Sequence, residues 1–155
     1  MTISLRPFVA ADAAWLDEWL ASVAQSVGCN GIGDAPGATI TARLQREKNL
    51  RAHIIERDGE PAGVTLFRLK APTKSSAIVE LVATPPSESR RGAGMAAATL
   101  IEPELRAAGV RTVYAPAPEI HGIAMYFWIR LGYHPLLRPD WPCEREGVAW
   151  LTRTL

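Results

Sequence analysis

Cysteine is nearly absent. Cys29 and Cys143 are the only two in 155 residues, and they form no CxxC pair. Two isolated thiols cannot by themselves build a zinc site, and a chain of this length buries enough surface to need no metal or disulfide staple. Excess charge is absent too. The formal net charge is +1, which excludes a wholesale nucleic-acid binder and a polybasic membrane protein. No apolar run approaches the roughly 18 residues of a membrane span. The N-terminal "MTISLRPFVAADAAW" lacks a cationic segment followed by an apolar one, so no secretory signal is expected and the expected setting is the reducing cytoplasm. No Gly-Lys dipeptide occurs anywhere, which removes the P-loop. No metal, nucleic-acid partner or membrane partner is therefore expected, and a homodimer is left open.

What remains is an ordinary globular composition, 48% apolar and 21% charged, of a size that fits one domain spanning residues 1–155. Residues 3–8 read as a first strand. Asp12 is placed to cap the helix after it, in which Trp15, Leu16, Trp19, Leu20, Val23 and Val27 recur at helical spacing. "GCNGIGDAPG" (28–37) breaks that pattern, and a polar helix is expected over 39–48. "RAHIIERDGEPAGVTLFRL" (51–69) reads as a hairpin turning at Asp58-Gly59. "SAIVELVATPP" (76–86) reads as a buried strand stopped by two prolines.

The segment that follows, "SESRRGAG" (87–94), opens a helix running to Gly109. Pro103 should kink that helix near Thr99 to Glu102, because proline removes a ladder bond and clashes with the carbonyl four residues back. A strand (111–118), a helix (121–135) closed by Gly132, and closing strands ending in "VAWLTRTL" (148–155) complete the order. Hairpin-connected strands followed by a strand-helix-strand unit imply a mixed α/β sheet.

Chemistry concentrates at "SESRRGAG". A helix N-terminus after a glycine turn leaves backbone amides free and carries about half a positive charge, so it suits an anion. Gly92 and Gly94 would let a ligand oxygen approach those amides, and Arg90 and Arg91 could add guanidinium contacts. A glycine pair alone serves a simple turn just as well. A Rossmann reading of "GAGMAA" fails, because no acidic residue stands about 20 positions on to hold a ribose.

Ser89-Arg90-Arg91-Gly92-Ala93-Gly94, taken with the later run His121, Ala124, Phe127, Trp128, Gly132 and Tyr133, resembles the GNAT acyltransferase superfamily. The first matches its [Q/R]xxGx[G/A] turn, with serine at the leading position. The second matches an Nxx-A-xx-[FL]-Y-xxx-G-[FY] helix, with tryptophan at the tyrosine position. The "ERDGEPAGV" hairpin and the opening "ISLRPFVAADAAWL" are also typical, and the resemblance spans nearly the whole chain.

It implies an α+β fold: a mixed, mostly antiparallel sheet of six to seven strands, about four helices, and strands four and five splayed. It implies acetyl-CoA, or another acyl-CoA, as co-substrate. The pantetheine arm would lie along Val82, Ala83 and Thr84. The pyrophosphate would sit on the turn from Ser89 through Arg90, Arg91, Gly92, Ala93 and Gly94 to Met95, with Ala124 and Phe127 on the later helix. The activity implied is acyl transfer to an amine, of a small molecule or a peptide, by direct attack in a ternary complex.

Direct attack requires a neutral amine and a departing thiolate, so a base and an acid each help. Glu80 is the candidate base, since burial raises a carboxylate's pKa. It serves equally as a solvated residue or as an arginine's partner. At the acid position stands Trp128, whose indole N–H donates a hydrogen bond but surrenders no proton near neutral pH. Tyr126 lies two residues away, on roughly the opposite side of the helix. A catalytically weak acyl-CoA-binding or regulatory domain on the same fold is the alternative. The acceptor side is read only as two loops, 28–37 and 138–147.

Overall fold

A computed structural model describes residues 2–23, 33–88, 91–119, 122–137 and 147–155. Val27, Cys29, Ser89, Arg90, His121, Trp141, Cys143 and most of the two expected acceptor loops lie outside the described residues.

One sheet of seven strands carries the fold, in the order β1-β2-β3-β4-β5-β7-β6. The strands are β1 (Ile3–Pro7), β2 (Leu50–Arg57), β3 (Glu60–Leu69), β4 (Ser76–Ala83), β5 (Thr112–Pro118), β6 (His134–Leu136) and β7 (Val148–Thr154). All neighbours are antiparallel except β4 and β5. The β2–β3 turn falls at Asp58-Gly59, both with positive φ (51° and 85°), as the Asp-Gly pair predicts for a two-residue hairpin. The short β6 was expected only as one of two closing strands, and its three residues carry no periodic signal of their own.

Helices α1 (Ala13–Asp17), α2 (Leu20–Val23) and α3 (Pro36–Arg46) cover one face of the sheet, and α4 (Ala93–Leu100), α5 (Glu102–Ala107) and α6 (Gly122–Arg130) cover the other. Strand alternation feeds both layers. Ile54 packs among Leu16, Leu20 and Ile40, whereas its neighbour Ile55 packs against Ala93 and Ala97. Each such fully buried aliphatic contributes roughly 1.5–3 kcal/mol.

Asp12 departs from its expected capping role. Its carboxylate accepts from both terminal guanidinium nitrogens of Arg6 at 2.8 and 2.9 Å and from the Val9 amide at 2.8 Å, so it ties β1 to the first turn instead of accepting from the next helix. The Arg6 hydrogen bonds also hold this carboxyl below the usual range. Pro103 breaks its helix where expected. α4 ends at Leu100, α5 begins at Glu102, and Pro103 sits in the first turn of α5, where its missing N–H does least harm.

Two irregularities position the site. First, β4 and β5 pair only over Ser76–Ile78 and Thr112–Tyr114, although both strands continue beyond. The expected splay is therefore present. Pro116 and Pro118, in the part of β5 past the fork, fit a strand with an unpaired side. Second, β4 bulges at Glu80: Leu66 faces Leu81 while Phe67 faces Val79, so Glu80 has no cross-strand partner. The extra residue re-aims the strand. Val79 packs with the α4–α6 layer and Leu81 with the α1–α3 layer.

Candidate active site

Beyond Ala83 the chain passes through a short 3-10 turn at Pro86–Glu88 and reaches Gly92, with φ 84° and ψ 0°. That left-handed geometry penalises any side chain. The first helical hydrogen bond of α4 runs from the Ala96 N–H to the Gly92 carbonyl at 3.0 Å. The amides of Ala93, Gly94 and Met95 thus have no acceptor within the helix, as at every helix start.

Gly92 and these residues line a groove of about 790 Å³ together with Val82 from the end of β4, Thr84 and Glu88 beyond it, and one face of α6. The α6 contribution is Ile123, Tyr126, Phe127 and Arg130, a spacing of 0, 3, 4 and 7 that marks one helical face. Gly94 is a fitted element of this wall. A Cβ there would lie 3.5 Å from Phe127 and 3.6 Å from Val82, filling the space between these two walls of the groove without striking backbone.

The loop before α4 is pinned from below by Arg57, a residue whose role the sequence did not suggest. Its Nε donates to Glu88 Oε2 at 2.8 Å and its Nη2 to the Arg91 carbonyl at 3.2 Å. An arginine at the end of a strand carries no motif, which is why sequence reasoning passes over it. Arg91 itself donates to Glu88 at 3.3 Å with its side chain about half exposed, and it is not among the residues lining the groove. Arg130 is, and its guanidinium stacks 5.7 Å over the Tyr126 ring.

Of the expected cofactor residues, Val82, Thr84, Gly92, Ala93, Gly94, Met95 and Phe127 therefore converge on one groove. Ala83 packs toward the α1–α3 layer and Ala124 against the core beneath α6. Ser89 and Arg90 lie outside the described residues.

The two expected acid candidates separate. Trp128 is 5% exposed and packs edge-on against Phe127 and at a tilt against Tyr133, both at 4.9 Å. It is a core residue and does not line the groove. Tyr126 is 61% exposed and does. The half-turn between them holds as expected, but the groove lies on the tyrosine's side. Tyr133 is buried, and burial pushes its phenol well above the usual range, so it stays protonated.

Glu80 faces the opposite layer. Its Oε2 accepts from Arg43 Nη2 at 2.8 Å and its Oε1 from Arg68 Nη2 at 3.3 Å. Of the sequence readings, base, solvated residue or arginine partner, the geometry shows the pairing. Glu47 closes the set, accepting from Arg43 Nε at 2.8 Å and Arg68 Nη2 at 3.0 Å. Burial pushes the Glu80 carboxyl up against the pull of Arg43 and Arg68, whereas the Arg43 hydrogen bond pulls Glu47 down. Three buried N–H groups of this layer, Arg43 Nη1, Arg68 Nε and Trp19 Nε1, have no acceptor among the described residues. Such an orphan costs about 1–3 kcal/mol.

Neither a known family profile nor a curated protein matches the sequence. Solved structures do. An acetyltransferase from Thermus thermophilus superposes with a TM-score of 0.80 at 22% identity, over 100% of this chain and 98% of that one. An aminoglycoside acetyltransferase in complex with coenzyme A and kanamycin gives 0.77 at 15% identity, over 99% and 95%. The PaiA N-acetyltransferase from Thermoplasma acidophilum, in complex with coenzyme A, gives 0.75 at 10% identity over the whole of both chains. The mixed sheet with its parallel β4–β5 fork is the GNAT acetyltransferase fold. At these identities the likeness is one of fold, and the chemistry must be argued from the groove.

Proposed function

We propose that this protein is an N-acyltransferase that uses acetyl-CoA, or another acyl-CoA, to acylate a small-molecule amine. The observation that carries this reading is the groove. It starts at Val82 and Thr84, where β4 has already parted from β5, passes between Val82 and Phe127, and ends at Ala93, Gly94 and Met95. A pantetheine arm needs an unpaired strand side and apolar walls. A pyrophosphate needs backbone donors at a helix N-terminus. Both stand in line here, and Gly94 keeps the passage between them clear.

The co-substrate supplies an activated thioester, and the chain's residues bind and orient it. On this reading a β4 amide beside the gap, at Val82 or Ala83, donates to the acyl oxygen as the amine adds and negative charge develops there. The C–N bond forms, the C–S bond breaks, and the amine's proton leaves to solvent. Tyr126, on the groove wall, has the hydroxyl suited to meet the departing thiolate. Trp128 has no access to it. Glu80 has both oxygens engaged by arginines, so its role is to hold the acceptor-side charges and not to take the proton.

Calorimetry with acetyl-CoA and with desulfo-CoA tests binding, and thiol release with a panel of amines tests turnover. Micromolar binding with amine-dependent thiol release is the expected result. Binding with no thiol release across the panel would favour an acyl-CoA-binding domain instead. No binding of either compound would sink both.

A further inference from the structure

We infer that the α1–α3 side of β4 carries a carboxylate-recognising subsite on Arg43 and Arg68, and that the acceptor amine is one bearing a carboxylate, the amino-acid class. The inference names the acceptor for the acyltransferase reading above and rests on it.

The argument starts from unused donors. A guanidinium offers five N–H groups and no acceptor. Arg43, 3% exposed, spends Nε and Nη2 on Glu47 and Glu80 and leaves Nη1 buried and, among the described residues, unpaired. Arg68 shares Nη2 between Glu47 and Glu80 and leaves Nε in the same state. Trp19, packed in the same layer as Leu66 and Leu81, adds an indole N–H without an acceptor there. These three unpaired groups are all N–H donors. Water would bring hydrogens of its own that need acceptors, and the Glu47 and Glu80 oxygens nearby already serve arginines. A carboxylate brings lone pairs only, and guanidinium is its best partner.

Charge agrees with a zwitterion. Arg43 and Arg68 balance Glu47 and Glu80, so the set is neutral before a ligand enters, and a ligand with one charge of each sign disturbs that balance least. Position agrees as well. Glu80 is the bulged residue of β4, two positions before Val82, which lines the groove on the other side of the sheet. A carboxylate held by Arg43 and Arg68 therefore leaves its amine beside the fork through which the thioester is reached.

The test compares amino acids with the amines left when their carboxylate is removed: alanine with ethylamine, phenylalanine with phenethylamine, lysine with 1,5-diaminopentane. Each is titrated calorimetrically into protein with and without desulfo-CoA, and each is assayed for thiol release from acetyl-CoA. The amino acids should bind and turn over at least about tenfold better than their partners, the worth of one charge-assisted hydrogen bond. Arg68→Gln, at a partly exposed position, should raise KM for the amino acids by about the same factor and affect their partners clearly less. Arg43→Lys, which keeps charge but loses the fork, should act in the same direction. Equal use of both members of each pair, or an Arg68→Gln effect equal on both, overturns the inference while leaving the acyltransferase reading intact. No thiol release from any amine refutes that reading, and the amino-acid titrations still decide the subsite on their own.

Discussion

Arg43→Met tests the buried charge network most severely. Arg43 and Glu80 have side-chain exposures of 3% and 2% and an N–O distance of 2.8 Å. Removing one partner of such a pair costs about 3–5 kcal/mol, because the other charge stays buried uncompensated. Arg68 retains its contact with Glu80 at 3.3 Å, which places the expectation at the low end, about 3 kcal/mol. For a chain of this size that is a fall in Tm of about 6–12 °C. The loss should depend on pH with a definite sign. Burial already raises the Glu80 carboxyl in the folded state, and losing Arg43 raises it further. Between the unfolded carboxylate value, about 4.3, and that higher folded value, the folded state binds more protons, so stability falls as pH rises through the window. The deficit of Arg43→Met, read from urea denaturation followed by circular dichroism, should therefore be larger at pH 8 than at pH 5. The double variant Arg43→Met/Glu80→Leu should recover most of it, since a buried pair can be replaced by apolar groups nearly neutrally. A single-variant loss below about 1 kcal/mol, invariant with pH, would refute the reasoning; that is the range of an exposed pair.

Other outcomes follow from the same geometry. Tyr126→Phe should lower kcat for thiol release by tenfold or more with little change in acetyl-CoA affinity, general acid assistance being worth about 10²–10⁴-fold; an unchanged kcat would remove the phenol from the mechanism. Trp128→Tyr, which restores the residue usual in the resembling family, should give no gain in kcat and should cost about 1–3 kcal/mol for a hydroxyl placed in the core; an increase in kcat on stopped-flow thiol detection would contradict the buried placement. Glu80→Gln should change kcat by less than about tenfold, against the 10²–10⁴-fold expected of a general base. Gly92→Ala should destabilise by about 1–2 kcal/mol through its positive φ alone, measurable as a shift in urea midpoint with an unchanged slope.

Most of the fold was legible because its signals are local. The Asp58-Gly59 turn, the proline stop after β4, the Pro103 break and the Gly132 helix end each follow from one residue's backbone chemistry. The α1–α3 and α4–α6 layers follow from strand alternation. The fork between β4 and β5 was expected from resemblance, although Pro116 and Pro118 were a direct signal for a strand with an unpaired side. The candidate groove was legible where it is backbone, from Gly92 to Met95. It was misjudged where it depends on rotation about α6. The family spacing pointed to Trp128, and only the packing of Trp128 on Tyr133 shows that Tyr126 owns the groove side. Arg57 and the Arg43–Glu47–Arg68–Glu80 set stayed hidden because each joins residues far apart in the chain, and no spacing rule reaches across a sheet. The bulge at Glu80 is likewise a matter of register between two strands, visible only once Leu66 and Phe67 are paired with Leu81 and Val79.

The central claim is that an acyl-CoA occupies the passage between Val82 and Phe127, and Gly94→Val is the variant that closes it. Unlike Gly92, Gly94 is not at a positive φ, and its added Cβ meets only side chains at ordinary contact distance. The two Cγ atoms of the valine reach past that Cβ toward Phe127 and Val82, so Tm is measured first to show that the variant is folded. Acetyl-CoA titrated calorimetrically into it should bind at least tenfold more weakly than to the unaltered protein, a loss of about 1.4 kcal/mol or more. Equal affinity in the folded variant would place the co-substrate elsewhere and contradict the groove assignment.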